Sequence, residues 1–287
     1  MFEHTRTIGE AAHADVPGPG GVHNAFLRRV GELRRRIVAI VRRVGIRIGV
    51  AVDMQCDEIL VVPGRIDDAF ARIEAAAGCI LDTGAVPVGI GGDGSVSLPL
   101  MRAAARHHKD LVALHIDSHT DAYPYTPDDR YNAATQFTNA AQEGVVNAAR
   151  SWHIGVRGFT YCPGVLEHTR SLGFRVVTID ELMRRGFAQT IAEFSEVVGG
   201  RPVYLCWDMD VFDPSVAPGV CTPAWGGLSA REGIELLRSL AGLNIVAMDF
   251  NTVSPPQDVN GMAAQLCAHM IMEALVLLAA GMGLLPD

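Results

Sequence analysis

From about Arg72 onward, short apolar runs alternate with longer segments in which apolar residues recur every three or four positions. Runs of roughly four to eight apolar residues bounded by turn formers suit strands buried on both faces. They predict strands at Val86–Ile90, Leu111–Ile116, Trp152–Val156, Arg175–Thr178, Val203–Trp207 and Asn244–Asp249. The segments between them predict helices at Pro99–His108, Ala140–Arg150, Val165–Ser171, Ile179–Arg185, Thr190–Val198, Ala230–Ala241 and Ala263–Ala280. Such alternation implies an α/β fold with a mainly parallel sheet covered on both faces. Ligands in such sheets gather beyond the carboxyl ends of the strands. Asp93, Asp117, Asp208 and the Ser254-Pro255-Pro256 loop all follow apolar strands directly, so the polar groups collect on one rim.

Composition narrows the class. The 287 residues contain no Pro/Gly/Ser-rich linker and no internal repeat, which points to a single domain over 1–287. Residues 1–55 differ from the rest: Arg28, Arg29, Arg34, Arg35, Arg36, Arg42, Arg43 and Arg47 lie among Val, Ile and Gly. That basic stretch reads as a solvated face or interface arm in preference to a phosphate site. A formal net charge of −8 argues against nucleic acid or an anionic membrane as the main partner and favours a small-molecule enzyme. Cys56, Cys79, Cys162, Cys206, Cys221 and Cys267 form no C-x-x-C pair, so free buried thiols in the cytoplasm are expected. The first fifteen residues lack an apolar signal core, and Met270–Leu285 carries Glu273 and reads as too short to span a bilayer.

The chemistry concentrates in Asp117-Ser118-His119-Thr120-Asp121 and Asp208-Met209-Asp210. In extended chain, residues two apart share a face, so these five ligand-type side chains can converge from two neighbouring strand ends. Crowded carboxylates repel, and burying them costs several kcal/mol unless cations neutralise them. Asp117-x-His119-x-Asp121 alone reads equally well as a capped loop, and Asp208-x-Asp210 alone is weaker still, since acidic pairs at strand ends often cap the next turn; the pair points to a metal centre. Oxygen-rich ligation with one imidazole suits Mn²⁺ or a similar divalent ion, Ni²⁺ and Zn²⁺ being alternatives. A two-metal site can acidify a water into a nucleophile, which indicates hydrolysis. Gly91-Gly92-Asp93-Gly94-Ser95 lacks the P-loop lysine and full dinucleotide spacing, which speaks against a nucleotide-binding role. His115, inside a strand, reads as a core hydrogen-bonding residue.

Gly91-Gly92-Asp93-x-Ser95, Asp117-Ser118-His119-Thr120-Asp121 and Asp208-Met209-Asp210-Val211-Phe212-Asp213-Pro214 together resemble the ureohydrolases: arginase, agmatinase and the guanidino-acid hydrolases. Ala217-Pro218-Gly219, Thr222-Pro223, Gly226-Gly227-Leu228, Ile154-Gly155-Val156-Arg157-Gly158 and Ser254-Pro255-Pro256 add to the likeness, which covers about Asp57 to the C-terminus. The resemblance implies an arginase-like three-layer αβα sandwich, two Mn²⁺ ions, hydrolysis of a linear guanidino or amidine C–N bond with release of urea, and a trimer or hexamer. It also implies that Asp117 and Asp208 bridge the ions, that Asp121 binds one ion and holds the attacking water, and that His119 and Asp210 bind the other.

Three positions depart from the family pattern. A metal-binding His is replaced by Gly94, a proton-shuttling His falls at Ala133, and the Glu that pairs with a guanidinium corresponds to Thr252. A threonine hydroxyl cannot form the bidentate charged bond a guanidinium prefers. Asn132, Thr135, Gln136, Asn251 and Thr252 are the expected substrate contacts. The alternative to a hydrolase with an altered pocket is a weak or inactive homologue serving as a structural subunit or ligand-binding protein.

Overall fold

A computed structural model describes residues 66–283. The Arg-rich stretch within 1–55 and Cys56 lie outside the described residues. Strands β1 (Val88–Ile90), β2 (Val112–Ile116), β3 (Trp152–Val156), β4 (Arg175–Thr178), β5 (Val203–Asp208) and β6 (Ile245–Asn251) form one sheet in the order β1-β6-β5-β2-β3-β4. Every neighbouring pair is parallel. The helices are α1 (Ile66–Asp82), α2 (Ser97–His107), α3 (Gln136–Gln142), α4 (Val165–Ser171), α5 (Ile179–Arg185), α6 (Phe187–Val198), α7 (Ala230–Ser239) and α8 (Met262–Gly281).

The period-two alternation of each strand sorts the core into two layers. Val112, Leu114 and Ile116 of β2 and Val203, Leu205 and Trp207 of β5 meet Phe194, Leu236, Leu237, Met270 and Ala274 from α6, α7 and α8. The intervening Ala113, Tyr204 and Cys206 face Phe70, Leu98, Met101 and Phe137 from α1, α2 and α3. The result is helix, sheet, helix: the expected three-layer αβα sandwich. His115, Cys206 and Asp249 lie side by side in the parallel register, so polar groups cross the middle strands at one level.

Several boundaries move for identifiable reasons. Helix α2 begins at Ser97, which puts Pro99 in the first turn, where its missing N–H has no intrahelical partner to lose. The helix expected at Ala140–Arg150 is instead α3, already finished at Gln142; Gly144 follows at φ 66°, and only a short 3-10 turn forms at Ala148–Arg150. Strand β6 continues past Asp249 to Asn251. Helix α1 was not expected, although Asp67 and Asp68 lie in its first turn and Phe70, Ala77 and Leu81 are buried along it. The described cysteines are free but not uniformly buried: Cys206 and Cys267 are, Cys79 and Cys221 are exposed, and Cys162 is half-buried.

The C-terminal apolar segment also differs from expectation. Helix α8 runs for 20 residues and, by length and composition alone, is long enough to cross a bilayer. Its Ala263, Cys267, Met270, Ile271, Ala274 and Leu278 recur at helical spacing and are buried in the sheet-facing core. Asp258, four residues before its start, satisfies its first turn by accepting bonds from the Ala263 and Ala264 amides at 3.0 and 3.1 Å.

Candidate metal centre

Both acidic motifs begin by folding back on themselves in the same way. Beyond β2, the Asp117 carboxylate accepts the His119 amide at 2.6 Å; at the end of β5, Asp208 accepts the Asp210 amide at 2.8 Å. A short acceptor that captures the amide two residues on turns the chain sharply and leaves the second ligand beside the first. Asp93 makes the same turn with the Ser95 amide at 3.0 Å after β1. Backbone in the left-handed region then appears at Asp121 (φ 46°) and Thr252 (φ 65°), both on the rim. For a β-branched threonine that conformation is costly and needs support from its surroundings. Here the Thr252 amide donates to the Gly92 carbonyl at 2.8 Å and its hydroxyl donates to Asp208.

These turns bring four of the five expected ligands into two overlapping groups, with Asp208 outside both. Ligand atoms of Asp117, His119 and Asp210 lie within 4.8 Å of one another, as do those of Asp117, Asp121 and His115. The His119 Nδ1 is 3.1 Å from Asp210 and 3.4 Å from Asp117. Asp210 is held by the Ser118 hydroxyl at 2.5 Å, the Ser118 amide at 3.2 Å and the Thr222 hydroxyl at 3.0 Å. Gln136 Nε2 donates to Asp121 at 2.5 Å.

Charge in this cluster is out of balance. Burial, then repulsion from Asp117 and its neighbours, holds the Asp121 and Asp208 carboxyls well above the usual carboxylate range. Asp210 is raised by the same two causes, less its bond to His119. Asp117 is the exception: burial opposes its ionisation, but His115 and His119 outweigh burial and hold it well below the ordinary value. Burial likewise lowers His119, yet its bonds to Asp117 and Asp210 prevail and raise it to about 12. Three carboxyls that resist ionisation around one imidazolium are what a site for further cations requires. The all-oxygen and imidazole donor set, with no cysteine among it, fits divalent ions of the Mn²⁺ type.

Residues expected at the substrate make their hydrogen bonds within the protein. Asn132 Oδ1 accepts the Ala134 amide and its Nδ2 donates to the Asp129 carbonyl; the Thr135 hydroxyl donates to the Arg130 carbonyl. Asn251 Nδ2 donates to Asp249 at 2.8 Å, Thr252 holds Asp208, and Gln136 holds Asp121. His115 does make the anticipated core contact, with its Nδ1 2.9 Å from His153 Nδ1. It also reaches further, placing Nε2 2.9 Å from Asp117 Oδ2 without hydrogen-bond alignment. Extending the same two-residue spacing backwards from Asp117 leads to it. Thr222 and Arg157 escaped the sequence reading as site residues. The Arg157 guanidinium donates to the carbonyls of Asp210, Phe212 and Ala224 at 2.8, 3.1 and 2.7 Å, pinning the loop that carries Asp210. Trp225, whose carbonyl accepts from Arg157 Nε at 3.2 Å, is 75% exposed.

A family model described as the Arginase family matches residues 24–277, beginning upstream of the Asp57 start that the motifs suggest. The chain is 35% identical over 276 residues to the guanidinopropionase of Pseudomonas aeruginosa, covering 92% of this chain and 85% of that protein. It is 36% identical over 224 residues to the agmatinase of Neisseria meningitidis, covering 78% and 70%. Among solved structures, proclavaminate amidino hydrolase from Streptomyces clavuligerus matches with a TM-score of 0.74 and 36% identity over 78% of this chain and 74% of that one. Arginase from Bacillus caldovelox matches with a TM-score of 0.66 and 26% identity over 77% and 79%. With its parallel sheet, its rim of carboxylates and these matches, the chain belongs to the arginase family.

Proposed function

We propose that this amidinohydrolase cleaves a linear guanidino or amidine C–N bond at a binuclear Mn²⁺ centre, releasing urea from guanidino substrates. The observation that carries this reading is the convergence of Asp117, His119, Asp121 and Asp210 beyond two strand ends into one buried cluster, with Asp208 beside it and raised by burial and by Asp117, Asp210 and Asp121. Asp117, His119 and Asp210 would hold one ion; Asp117, Asp121 and Asp208 would hold the other. Bound there, the ions would supply Lewis acidity and a water acidic enough to ionise near neutral pH.

The chain's own groups then divide the work. The Gln136 amide stands against one carboxylate oxygen of Asp121, which leaves its other oxygen to orient the water and take its proton. Thr252 and Thr222 fix Asp208 and Asp210 through their hydroxyls. With Thr252 committed to Asp208, this strand end offers a guanidinium no carboxylate, and Ala133 provides no side-chain relay for protons. Both differences favour a substrate other than the simplest arginine-like one, and substrate contacts by Asn132, Thr135 or Asn251 would require their internal bonds to be exchanged. Free thiols support a cytoplasmic location, and family resemblance supports a homo-oligomer, trimer or hexamer.

The test is release of urea or ammonia from agmatine, arginine, guanidinobutyrate, guanidinopropionate and non-guanidine amidines, with Mn²⁺, Ni²⁺ and Zn²⁺ supplied separately. Turnover restricted to substituted or uncharged amidines is the expected outcome. Efficient agmatine hydrolysis would contradict the role given to Thr252, and no turnover on any of them would leave a ligand-binding homologue.

A further inference from the structure

The missing histidine at Gly94 leaves a chemical question that the neighbouring residues answer. A side chain starting from Gly94 has nowhere to go: a Cβ there would collide with Gln136 Nε2 and lie 2.9 Å from both the Ala133 carbonyl oxygen and Asp121 Oδ2. The space in which a residue at position 94 would approach Asp121 is therefore filled by the Gln136 amide. Gln136 is the first residue of α3, fully buried, so its amide is delivered from a different element to the same point.

Only half of that amide is accounted for. Nε2 donates to Asp121 at 2.5 Å, whereas Oε1 is buried with no hydrogen-bond partner among the described residues. A buried carbonyl oxygen without a donor is rare and calls for a bonding partner. The two ends of the amide have nearly the same shape, and a half-turn about the Cγ–Cδ bond exchanges them. After that exchange Oε1 lies beside Asp121 Oδ2, two oxygens facing one point, which is repulsive unless a cation sits between them. A neutral amide oxygen is a normal ligand for hard divalent ions.

We propose that Gln136 Oε1 is a metal ligand of the Asp117, Asp121 and Asp208 half of the centre, replacing the imidazole that Gly94 cannot supply. The proposal rests on the binuclear reading above and assigns to this half a neutral, weaker fourth donor. The second ion is accordingly the more easily lost of the two.

The alternative is that Gln136 acts only as a donor that orients Asp121, and the two roles give opposite signs in one variant. A glutamate at this position is a stronger ligand but cannot donate to Asp121 and would repel it. Mn²⁺ would be titrated calorimetrically into the chelator-stripped full chain, with low-temperature EPR separating coupled ion pairs from single ions. Wild type is expected to bind two ions. Gln136→Leu should retain the first ion, which also reports a folded site, and weaken the second by about 10- to 100-fold. Gln136→Glu should bind the second ion more tightly than wild type. Weaker second-ion binding in Gln136→Glu than in Gln136→Leu, or unchanged second-ion affinity in Gln136→Leu, would overturn the ligand while leaving the two-ion centre standing. A wild-type chain that binds no Mn²⁺ would overturn both.

Discussion

Two groups of buried carboxylates lie close together on the same side of the sheet, and they are solvated in opposite ways. Asp249, inside β6, is a single carboxylate met by Tyr204 at 2.6 Å, Asn251 at 2.8 Å and Ser97 at 2.9 Å. On the rim, Asp117, Asp121, Asp208 and Asp210 crowd around the imidazoles of His119 and His115 and a handful of amides and hydroxyls. Burial raises the carboxyl of Asp249 too, and its three donors offset part of that rise, whereas the rim carboxyls add to it by raising one another. The first arrangement is complete without an ion; the second is stable in its ionised form only with positive charge added. Acidic residues in a core are thus read by counting donors against charges, and only the rim shows the deficit that marks a metal site.

The strongest way to break this contrast is to neutralise one carboxylate in each group. Asp208→Asn should lower metal-dependent activity by well over ~100-fold, beyond the loss typical of an outer-shell partner, and remove at least one ion per chain by metal analysis. Asp249→Asn should leave the ion count unchanged and show itself instead as a stability loss of about 1–3 kcal/mol in denaturant titration, from rearranged bonds to Tyr204, Ser97 and Asn251. Equal effects on metal content in the two variants would remove the distinction.

A smaller effect is expected from the hydroxyls that hold the rim. Thr252→Ala should weaken metal binding by about 10- to 100-fold through the loss of its bond to Asp208, with the calorimetric titration as the check. Stability gained at saturating Mn²⁺ should be about 2.7 kcal/mol per ion at a hundredfold excess over its dissociation constant, and Asp249→Asn should keep that gain.

The pH dependence sharpens the contrast further. Asp121, Asp208 and Asp210 are raised above the ordinary 3.8, so the stability they contribute is complete below that value and is lost as pH rises through their folded pKa values. His119, raised to about 12, contributes below 6.5 and loses that contribution only on approach to about 12. Asp117, lowered, contributes above 3.8 and loses its share only as pH falls. Chelator-stripped protein should therefore lose thermal stability from about pH 4 toward neutrality, and Mn²⁺ should restore it most at the upper end, because ions bind the ionised carboxylates. A stripped protein whose midpoint rises over that range would contradict the assignment.

Much of this was legible in the chain. Short continuous apolar runs place β2, β3 and β4 almost to the residue, since strands buried on both faces are apolar nearly throughout. The acidic motifs stood out because each follows such a run directly. Helix α3 was misplaced because what begins it is a loop held by Thr135 and Asn132, and what ends it is Gly144, neither of which an apolar period records. Gln136 reads from sequence as a substrate contact because sequence separation hides its approach to Gly94, 42 positions away and adjacent only after the chain has passed through β2 and the rim. Thr252 was read as an absent glutamate, while its positive φ and its hold on Asp208 depend on Gly92 and β5, to which the local sequence does not refer.

Metal analysis of the full chain tests the two-ion centre most directly: strip the protein with chelator, reload it with excess Mn²⁺, remove unbound ion by gel filtration and count metal per chain. About two Mn²⁺ ions per chain in wild type, and fewer in Asp208→Asn, is the expected result. A wild-type chain that retains no divalent ion after loading with Mn²⁺, Ni²⁺ or Zn²⁺ would contradict it.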